Sequence, residues 1–389
     1  MSFTGLDRDA LARALERCGA EGWLLYNFRG MNPVAERVLD LGGLGSRRIF
    51  VLLTPDQEPV ALTHRVEMVP MRDFPGTVIP YSRWQELHAG LERLVAGRTL
   101  AMEVSPEDAV PYLDRVPHGV IQLIERLGGR VVSSSHLVTE FTARWSPDEA
   151  RHHVETAEIL ARIARESLAF AVARGGQDLR ETELQRRVMD AMAREGIVPD
   201  HPPIVAFGPN AADGHYEPLE VHDRALSKDE IVLLDLFGRR PGFVSADQTW
   251  VGWSGATPPE RVRTVWTTVR EARDAALALV RSAGASGRSL AGFEVDRAAR
   301  DVVERAGFGE YFVHRTGHSI DRELHGSGPH MDDYETRDDR AILPGCGFSV
   351  EPGIYLPGEF GIRSEVNVWW SPEGPVVTPK EPQRELILP

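Results

Sequence analysis

Two stretches of this chain repeat one pattern 111 residues apart, and that repeat constrains the fold more than any other feature. Gly176 and Gly287, Leu179 and Leu290, Glu183 and Glu294, Arg186 and Arg297, Asp190 and Asp301, Arg194 and Arg305, and Gly196 and Gly307 are all related by that one offset. Ser146, Pro147 and Glu149 form a helix start, with serine capping the first turn and glutamate reaching back to it; Thr257, Pro258 and Glu260 repeat the pattern. The first helix is expected to run to about Ala173 and stop at Gly175-Gly176. Such a repeat predicts two halves, each of two helices followed by strands. A pseudo-twofold axis would relate them and set their strands side by side, with a ligand cleft at the seam.

The repeat leaves the first third of the chain unexplained, and 389 residues exceed the usual size of one hydrophobic core. WLLYN (Trp23 to Asn27), RIFVLLT (Arg48 to Thr54) and PVALTH (Pro59 to His64) read as buried strands, and HGVIQLIERLGG (His118 to Gly129) as a helix with a glycine stop. Strands alternating with helices predict a small α/β domain over 1–140, and the repeated unit then occupies 141–389. The net charge of −14 argues against a nucleic-acid partner, which would need a basic stripe. Cys18 and Cys346 are the only cysteines, a usage that fits a reducing compartment rather than a disulfide scaffold. The N-terminus has no apolar core of signal-peptide length, and no apolar stretch is long enough to span a bilayer. These features predict a cytoplasmic protein with no membrane partner.

The strand regions of the two halves carry the chemistry. In IVLLDLFGRRPGFVSADQTW, Asp235 and Asp247 are equidistant from Pro241, so a hairpin folded about that turn would place them opposite each other. In VEPGIYLPGEFGIRSE, Glu351 and Glu365 are equidistant from Gly358. Side chains directly opposite on one face sit roughly 5 Å apart, and like charges there destabilise unless neutralised. The arms are otherwise apolar, so all four carboxylates would be buried and would require cations. HRTGHSIDRELHG adds His314, His318 and His325, and a neutral imidazole completes an N/O ligand set for divalent metals. Four carboxylates and a histidine suit two ions about 3.5–4 Å apart. A carboxylate-dominated set leans to Mn²⁺, with Co²⁺ or Zn²⁺ as substitutes.

These motifs, with TGHSIDRELH, FSVEPGIY and GIRSE, resemble the pita-bread-fold metallopeptidases of family M24, which include Xaa-Pro dipeptidases (prolidases) and Xaa-Pro aminopeptidases. The resemblance covers nearly the whole chain and implies an α+β fold: a creatinase-like α/β domain followed by a pita-bread catalytic domain. It implies metal ligation by Asp235, Asp247, His318, Glu351 and Glu365, with Asp247 and Glu365 bridging two ions and Glu351 also handling the proton of the attacking hydroxide. His325 resembles a histidine that contacts the scissile carbonyl, and His215 one that faces it across the cleft. Arg363 resembles an arginine that orients Glu365, and Arg337 one that binds the proline carboxylate of a dipeptide. The implied activity is hydrolysis of small peptides before a C-terminal proline. An Xaa-Pro aminopeptidase acting on longer peptides is the nearest alternative; a metal-free creatinase-like hydrolase and a non-catalytic interaction protein are further ones. A homodimer is also implied.

The chain departs from the common pattern twice. The first hairpin carries one more residue than is usual between its aspartates, expected at the turn. Where many relatives have Asp-Ile-Thr-Arg, this chain has Asp247-Gln248-Thr249-Trp250, which keeps Thr249 and loses the arginine. The expectation is an intact metal site in altered surroundings. His152 and His153 are expected to face solvent on the long helix, His314 to be structural, and Trp369 and Trp370 to be core.

Overall fold

The computed structural model describes residues 6–40 and 45–389. The chain divides into two compact units, Met1–Ala143 and Arg144–Pro389.

The first unit contains α1 (Arg8–Cys18), β1 (Gly22–Asn27), α2 (Pro33–Leu39), β2 (Ile49–Leu53), β3 (Val60–His64), β4 (Thr77–Tyr81), α3 (Trp84–Val95), β5 (Thr99–Met102), α4 (His118–Arg126), β6 (Arg130–Ser133) and α5 (Ser135–Thr142). Its six strands form one mixed sheet in the order β4-β3-β2-β1-β5-β6. Successive residues of a strand point to opposite faces, and here both faces are covered. Trp23, Leu25, Val51 and Leu53 pack with Leu11 and Leu15 of α1 and Val34 of α2. Leu24, Tyr26, Phe50 and Leu52 pack with Leu87 and Leu91 of α3 and Ile124 of α4. Continuous apolar runs such as WLLYN follow from that two-sided burial. Glu103 is fully buried, and its carboxylate accepts hydrogen bonds from Trp23 Nε1 (2.6 Å), Asn32 Nδ2 (2.7 Å) and Ser134 Oγ (3.1 Å).

The second unit opens with α6 (Pro147–Val172), α7 (Glu181–Arg194), β7 (Ile204–Phe207), β8 (Ile231–Gly238) and β9 (Ala246–Trp253). The pattern then recurs as α8 (Glu260–Ser286), α9 (Gly292–Arg305), β10 (Ser319–Ile320), β11 (Gly347–Val350), β12 (Gly353–Leu356), β13 (Phe360–Arg363), β14 (Val366–Ser371) and β15 (Gly374–Thr378). The offset of 111 carries α7 onto α9 at both ends. It also relates Gly176 (φ 78°) to Gly287 (φ 66°) and Gly196 (φ 69°) to Gly307 (φ 83°), left-handed conformations that glycine adopts without a Cβ clash. The strands form sheets β7-β8-β9, β10-β11-β14-β15 and β12-β13. Among the described residues, no helix is long and apolar enough to cross a membrane.

The capping box does not recur. At α6, Ser146 Oγ accepts from Glu149 N (3.2 Å) and Glu149 Oε2 from Ser146 N (2.8 Å). In the second half the helix starts at Glu260, capped by Pro259, with no side-chain cap bond. Position 259 corresponds to Asp148 in the first half. A proline there biases Pro258 away from helical geometry, so the helix cannot begin where the spacing suggests.

The first hairpin also differs from expectation. Its register pairs Asp235 with Thr249 and Phe237 with Asp247, and so centres on Gly242 (φ 88°), not Pro241. The two aspartates are therefore diagonal neighbours on one face rather than direct partners. The ladder runs without a bulge from Ile231–Trp253 to Gly238–Ala246, leaving residues 239–245 as the turn. In the second half, β12 with β13 and β11 with β14 share one register centred on Gly358, which sets Glu351 opposite Glu365 as expected.

The two helix starts should respond differently to mutation. Ser146→Ala is expected to destabilise the protein by about 1 kcal/mol, whereas Thr257→Ala should change stability by less than about 0.5 kcal/mol. Paired urea titrations of the variants would measure both effects.

Candidate metal centre

Asp235 lies on β8 and Asp247 and Thr249 on β9, while His318 immediately precedes β10. Glu351 and Glu365 sit where Pro352 and Ser364 interrupt the ladders between β11 and β12 and between β13 and β14. A Cβ at Gly317 would strike the Ser349 carbonyl oxygen, so only glycine lets the segment bearing His318 lie this close to β11. His318 N then donates to Ser349 Oγ (2.9 Å), which itself donates to Glu351 Oε1 (2.9 Å).

The five residues converge. Ligand atoms of Asp247, His318 and Glu365 all lie within 4.8 Å of one another. His318 Nε2 is 3.4 Å from Asp247 Oδ2 and 3.4 Å from Glu351 Oε1. Its Nδ1 faces the Ser319 carbonyl at 3.1 Å. A carbonyl only accepts, so Nδ1 carries a proton; Nε2 faces the carboxylates, and although burial opposes a second proton, the Asp247 contact and the charges of Glu351 and Asp247 outweigh it and raise the pKa of the ring. Asp235, Asp247, His318 and Glu365 are buried, and Glu351 is partly exposed.

Arg363 organises the carboxylates from behind. Its Nη2 donates to Asp235 Oδ2 (2.6 Å) and its Nε to Thr249 Oγ1 (2.8 Å), while Thr249 Oγ1 donates onward to Glu365 Oε2 (2.9 Å). It therefore touches Asp235 directly and reaches Glu365 only through Thr249. Glu351 Oε2 lies 3.9 Å from Nε. Asp235, Asp247 and Glu365 share one feature: Asp235 Oδ1, Asp247 Oδ1 and Glu365 Oε1 are buried without a hydrogen-bond partner. Each of these carboxylates thus has one oxygen facing a neighbouring side chain and one bare. Buried bare acceptors beside an imidazole nitrogen that offers a lone pair once deprotonated are the donor set of a divalent-cation site, and the residues present fit that role.

The titration of these groups shows the same strain. Burial, with the charges of Asp247 and Glu351, pushes Asp235 up to about 7 despite Arg363. Burial pushes Asp247 up as well, and burial with the charges of Asp247, Glu351 and Asp235 pushes Glu365 well above the usual carboxylate range. Burial also acts on Glu351, but the positive charges of His318 and Arg363 outweigh it and hold Glu351 below its ordinary value.

The other expected residues are placed as follows. His325 is exposed beside the cage, its ring centroid 4.4 Å from that of His318 in an edge-on arrangement. His215 is exposed and close enough for its charge to act on His325. Arg337 is exposed with its guanidinium 4.5 Å over the Phe293 ring, and none of the cage residues is among its described partners. His153 does not face solvent. It is fully buried against Ser245 O (2.8 Å) and Thr378 Oγ1 (3.0 Å), because it falls on the α6 face that also buries Ala150, Thr156 and Ala157. His152 is partly buried and stacks on Phe243, ring centroids 3.6 Å apart. His314 Nδ1 donates to Arg315 O (2.7 Å), so its Nε2 accepts from the Tyr355 hydroxyl (2.9 Å), and that hydroxyl accepts from Arg363 Nη1 (2.9 Å). Tyr355 and Asn367, whose Oδ1 accepts from Asp247 N (2.8 Å), were not singled out in the sequence. A lone tyrosine or asparagine in an apolar strand carries no signal of its role until the partner across the site is known. Arg315 was also missed; its charge acts on both His318 and His325.

The model of metallopeptidase family M24 matches residues 153–371, more than half of the chain and every residue of the cage. The chain belongs to this family. A probable dipeptidase, PepE, of Mycobacterium tuberculosis is 34% identical over 211 residues, which make up 54% of this chain and 52% of that protein. A Xaa-Pro dipeptidase of Lactobacillus helveticus is 35% identical over 162 residues, 42% of this chain and 40% of its own. The matched stretches thus span about half the length of these curated relatives or less. The crystal structure of dipeptidase PepE from Mycobacterium ulcerans aligns with 98% of this chain and 97% of its own at a TM-score of 0.74 and 24% identity. The α+β fold of an M24 pita-bread metallopeptidase is thereby established for this chain.

The raised carboxyls give the metal-free M24 chain a definite pH response. A carboxyl with a raised folded pKa binds its proton more tightly folded than unfolded. Its stabilising effect is full below the unfolded value near 4 and, for Asp235, is lost as pH rises through about 7. Thermal scans of the chelator-treated protein should therefore show the Asp235 contribution lowering Tm between about pH 4 and 7. Added Mn²⁺ should raise Tm most at the upper end, where cations no longer compete with protons.

Proposed function

We propose that this chain is a dinuclear metal-dependent Xaa-Pro dipeptidase that hydrolyses the bond before a C-terminal proline. The observation that carries the reading is the buried cage of Asp235, Asp247, His318, Glu351 and Glu365, with three carboxylate oxygens left bare. Arg363 pairs with Asp235 and lies 3.9 Å from Glu351, so of four ionised carboxylates it offsets one charge and leaves three, more than one divalent ion neutralises. Two ions, preferentially Mn²⁺ for so oxygen-rich a set, would polarise a peptide carbonyl and bring the pKa of a water toward neutrality.

The chain's own residues divide the remaining work. Glu351, on the partly exposed side of the cage, accepts the proton of the attacking water. As the new C–O bond forms and the C–N bond breaks, that proton passes to the departing proline nitrogen, which has no N–H of its own and must gain one to leave as an amine. His325 donates a hydrogen bond to the carbonyl oxygen as negative charge develops there. His215 closes the opposite side of the substrate. The C-terminal carboxylate that distinguishes a dipeptide calls for an arginine. Arg315, whose charge already acts on His325, is assigned that role ahead of Arg337, which lies over Phe293.

Mn²⁺-dependent cleavage of Ala-Pro should exceed that of a C-terminally extended Ala-Pro peptide by at least about tenfold in kcat/KM, the worth of one charge-assisted hydrogen bond. The reverse preference would refute the dipeptidase reading in favour of an aminopeptidase. Asp247→Ala should reduce hydrolysis by about three orders of magnitude or more with an unchanged far-UV spectrum. Arg315→Ala should raise KM for Ala-Pro about tenfold with kcat nearly unchanged, and Arg337→Ala should do less; steady-state kinetics of the two variants decide between them.

A further inference from the structure

Strand β9 presents two faces. Asp247 and Thr249 point into the cage, so Gln248 and Trp250 point the other way, toward α6. Neither is exposed: Gln248 is fully buried and Trp250 nearly so. Gln248 Nε2 donates to the Ala157 carbonyl of α6 (2.7 Å), and Trp250 Nε1 donates to Gln248 Oε1 (2.9 Å). The orientation of this amide is unambiguous, because the carbonyl can only accept and the indole N–H can only donate. The guanidinium of Arg165, also on α6, lies 5.5 Å over the indole.

The outer edge of β9 is held as well: Gly252 forms a parallel bridge with Ile387, and the rest of that edge is bonded by side chains and loops. Asp247 N donates to Asn367 Oδ1, and Thr249 O accepts from Glu365 N (3.3 Å). The Gln383 amide accepts from Val251 N (2.9 Å) and donates to Val251 O (2.6 Å). At the turn, Arg240 is paired with Glu155 of α6 (2.8 Å) and Phe243 is stacked on His152. These bonds fix the two edges of β9, and the hydrogen bonds on its reverse face fix the side turned away from the cage.

We infer that Gln248 and Trp250 are a positioning pair: through the Trp250–Gln248–Ala157 hydrogen bonds they tether β9 to α6, holding Asp247 in ligating orientation and Thr249 against Glu365 and Arg363. The inference rests on the reading that the cage binds divalent cations. It accounts for Trp250 standing where the related pattern has arginine. A neutral donor–acceptor chain locks the strand by geometry and adds no charge behind the carboxylates, whereas an arginine would bring a cation that needs an anion of its own.

The test is Mn²⁺ binding to the metal-stripped full-length chain by titration calorimetry, alongside thermal scans of the metal-free protein. Trp250→Phe keeps a ring and deletes the N–H, Gln248→Met deletes both bonds at similar length, and Arg165→Ala removes only the cation over the ring. Trp250→Phe and Gln248→Met are expected to weaken Mn²⁺ binding about tenfold or more, and to lower kcat for Ala-Pro with KM little changed. Arg165→Ala should stay within about twofold of the parent, and Trp250→Phe should move the metal-free Tm by no more than about 3 °C. Mn²⁺ affinity within twofold of the parent in Trp250→Phe would overturn the inference whatever happens to Tm, because a packing role shifts stability alone. Should Gln248→Met fail to fold, Trp250→Phe decides. Failure of the parent chain to bind Mn²⁺ would remove the cation reading itself, an outcome distinct from a parent that binds and variants that match it.

Discussion

Mutual repulsion among four carboxylates is the constraint around which residues 144–389 are arranged. Burial raises the energy of each charge, and proximity raises it further, which is why Asp235, Asp247 and Glu365 all hold their protons more tightly than usual. One buried guanidinium, Arg363, offsets part of that repulsion and spends its donors on Asp235, Thr249, Tyr355 and the Gly214 carbonyl. The bare oxygens that remain are a cost to the metal-free fold of the kind expected where a protein gives up stability for function.

That cost is tolerable because the strands carrying the carboxylates are held by groups that do not themselves ligate. Gly317 permits the close approach of the His318 segment to β11, Ser349 bonds both His318 N and Glu351, and Asn367 bonds Asp247 N. His314, Tyr355 and Arg363 form a chain whose donors and acceptors each have one possible direction. Rigidity in this site therefore comes from directional polar contacts around the cage and apolar packing beyond it, where α6 and α7 cover β7–β9.

Much of this was legible in the sequence because it rests on period and spacing. The 111-residue offset located α7 and α9, and the apolar arms identified the hairpins that carry Asp235, Asp247, Glu351 and Glu365. What could not be read turned on local backbone geometry. Equal spacing about Pro241 suggested a register that the left-handed Gly242 displaces by one residue, exchanging a direct aspartate pair for a diagonal one. Pro259 moves a helix start that the repeat alone would place two residues earlier in the chain. His153 was misplaced for a different reason: a charged, polar stretch of α6 hides which of its residues fall on the buried face until the sheet it covers is known.

The two hairpins reach the same cage by different geometry, and the difference follows from side-chain length. Aspartate is short, and its pair sits within a continuous ladder whose diagonal spacing leaves room between the two carboxylates. Glutamate is longer, and its pair is directly opposed, but at a point where Pro352 and Ser364 interrupt the ladder. The backbone N–H of Glu351 bonds Thr316 O (2.7 Å), and that of Glu365 bonds Thr249 O (3.3 Å). Glu365 is thus joined to β9 through both its backbone and, by way of Thr249 Oγ1, its carboxylate. The seam between the repeated halves and the cage are consequently one set of bonds. Any motion that opened the seam would also separate Asp247 from Glu365, so cations bound between them would favour the assembled halves over any separated arrangement.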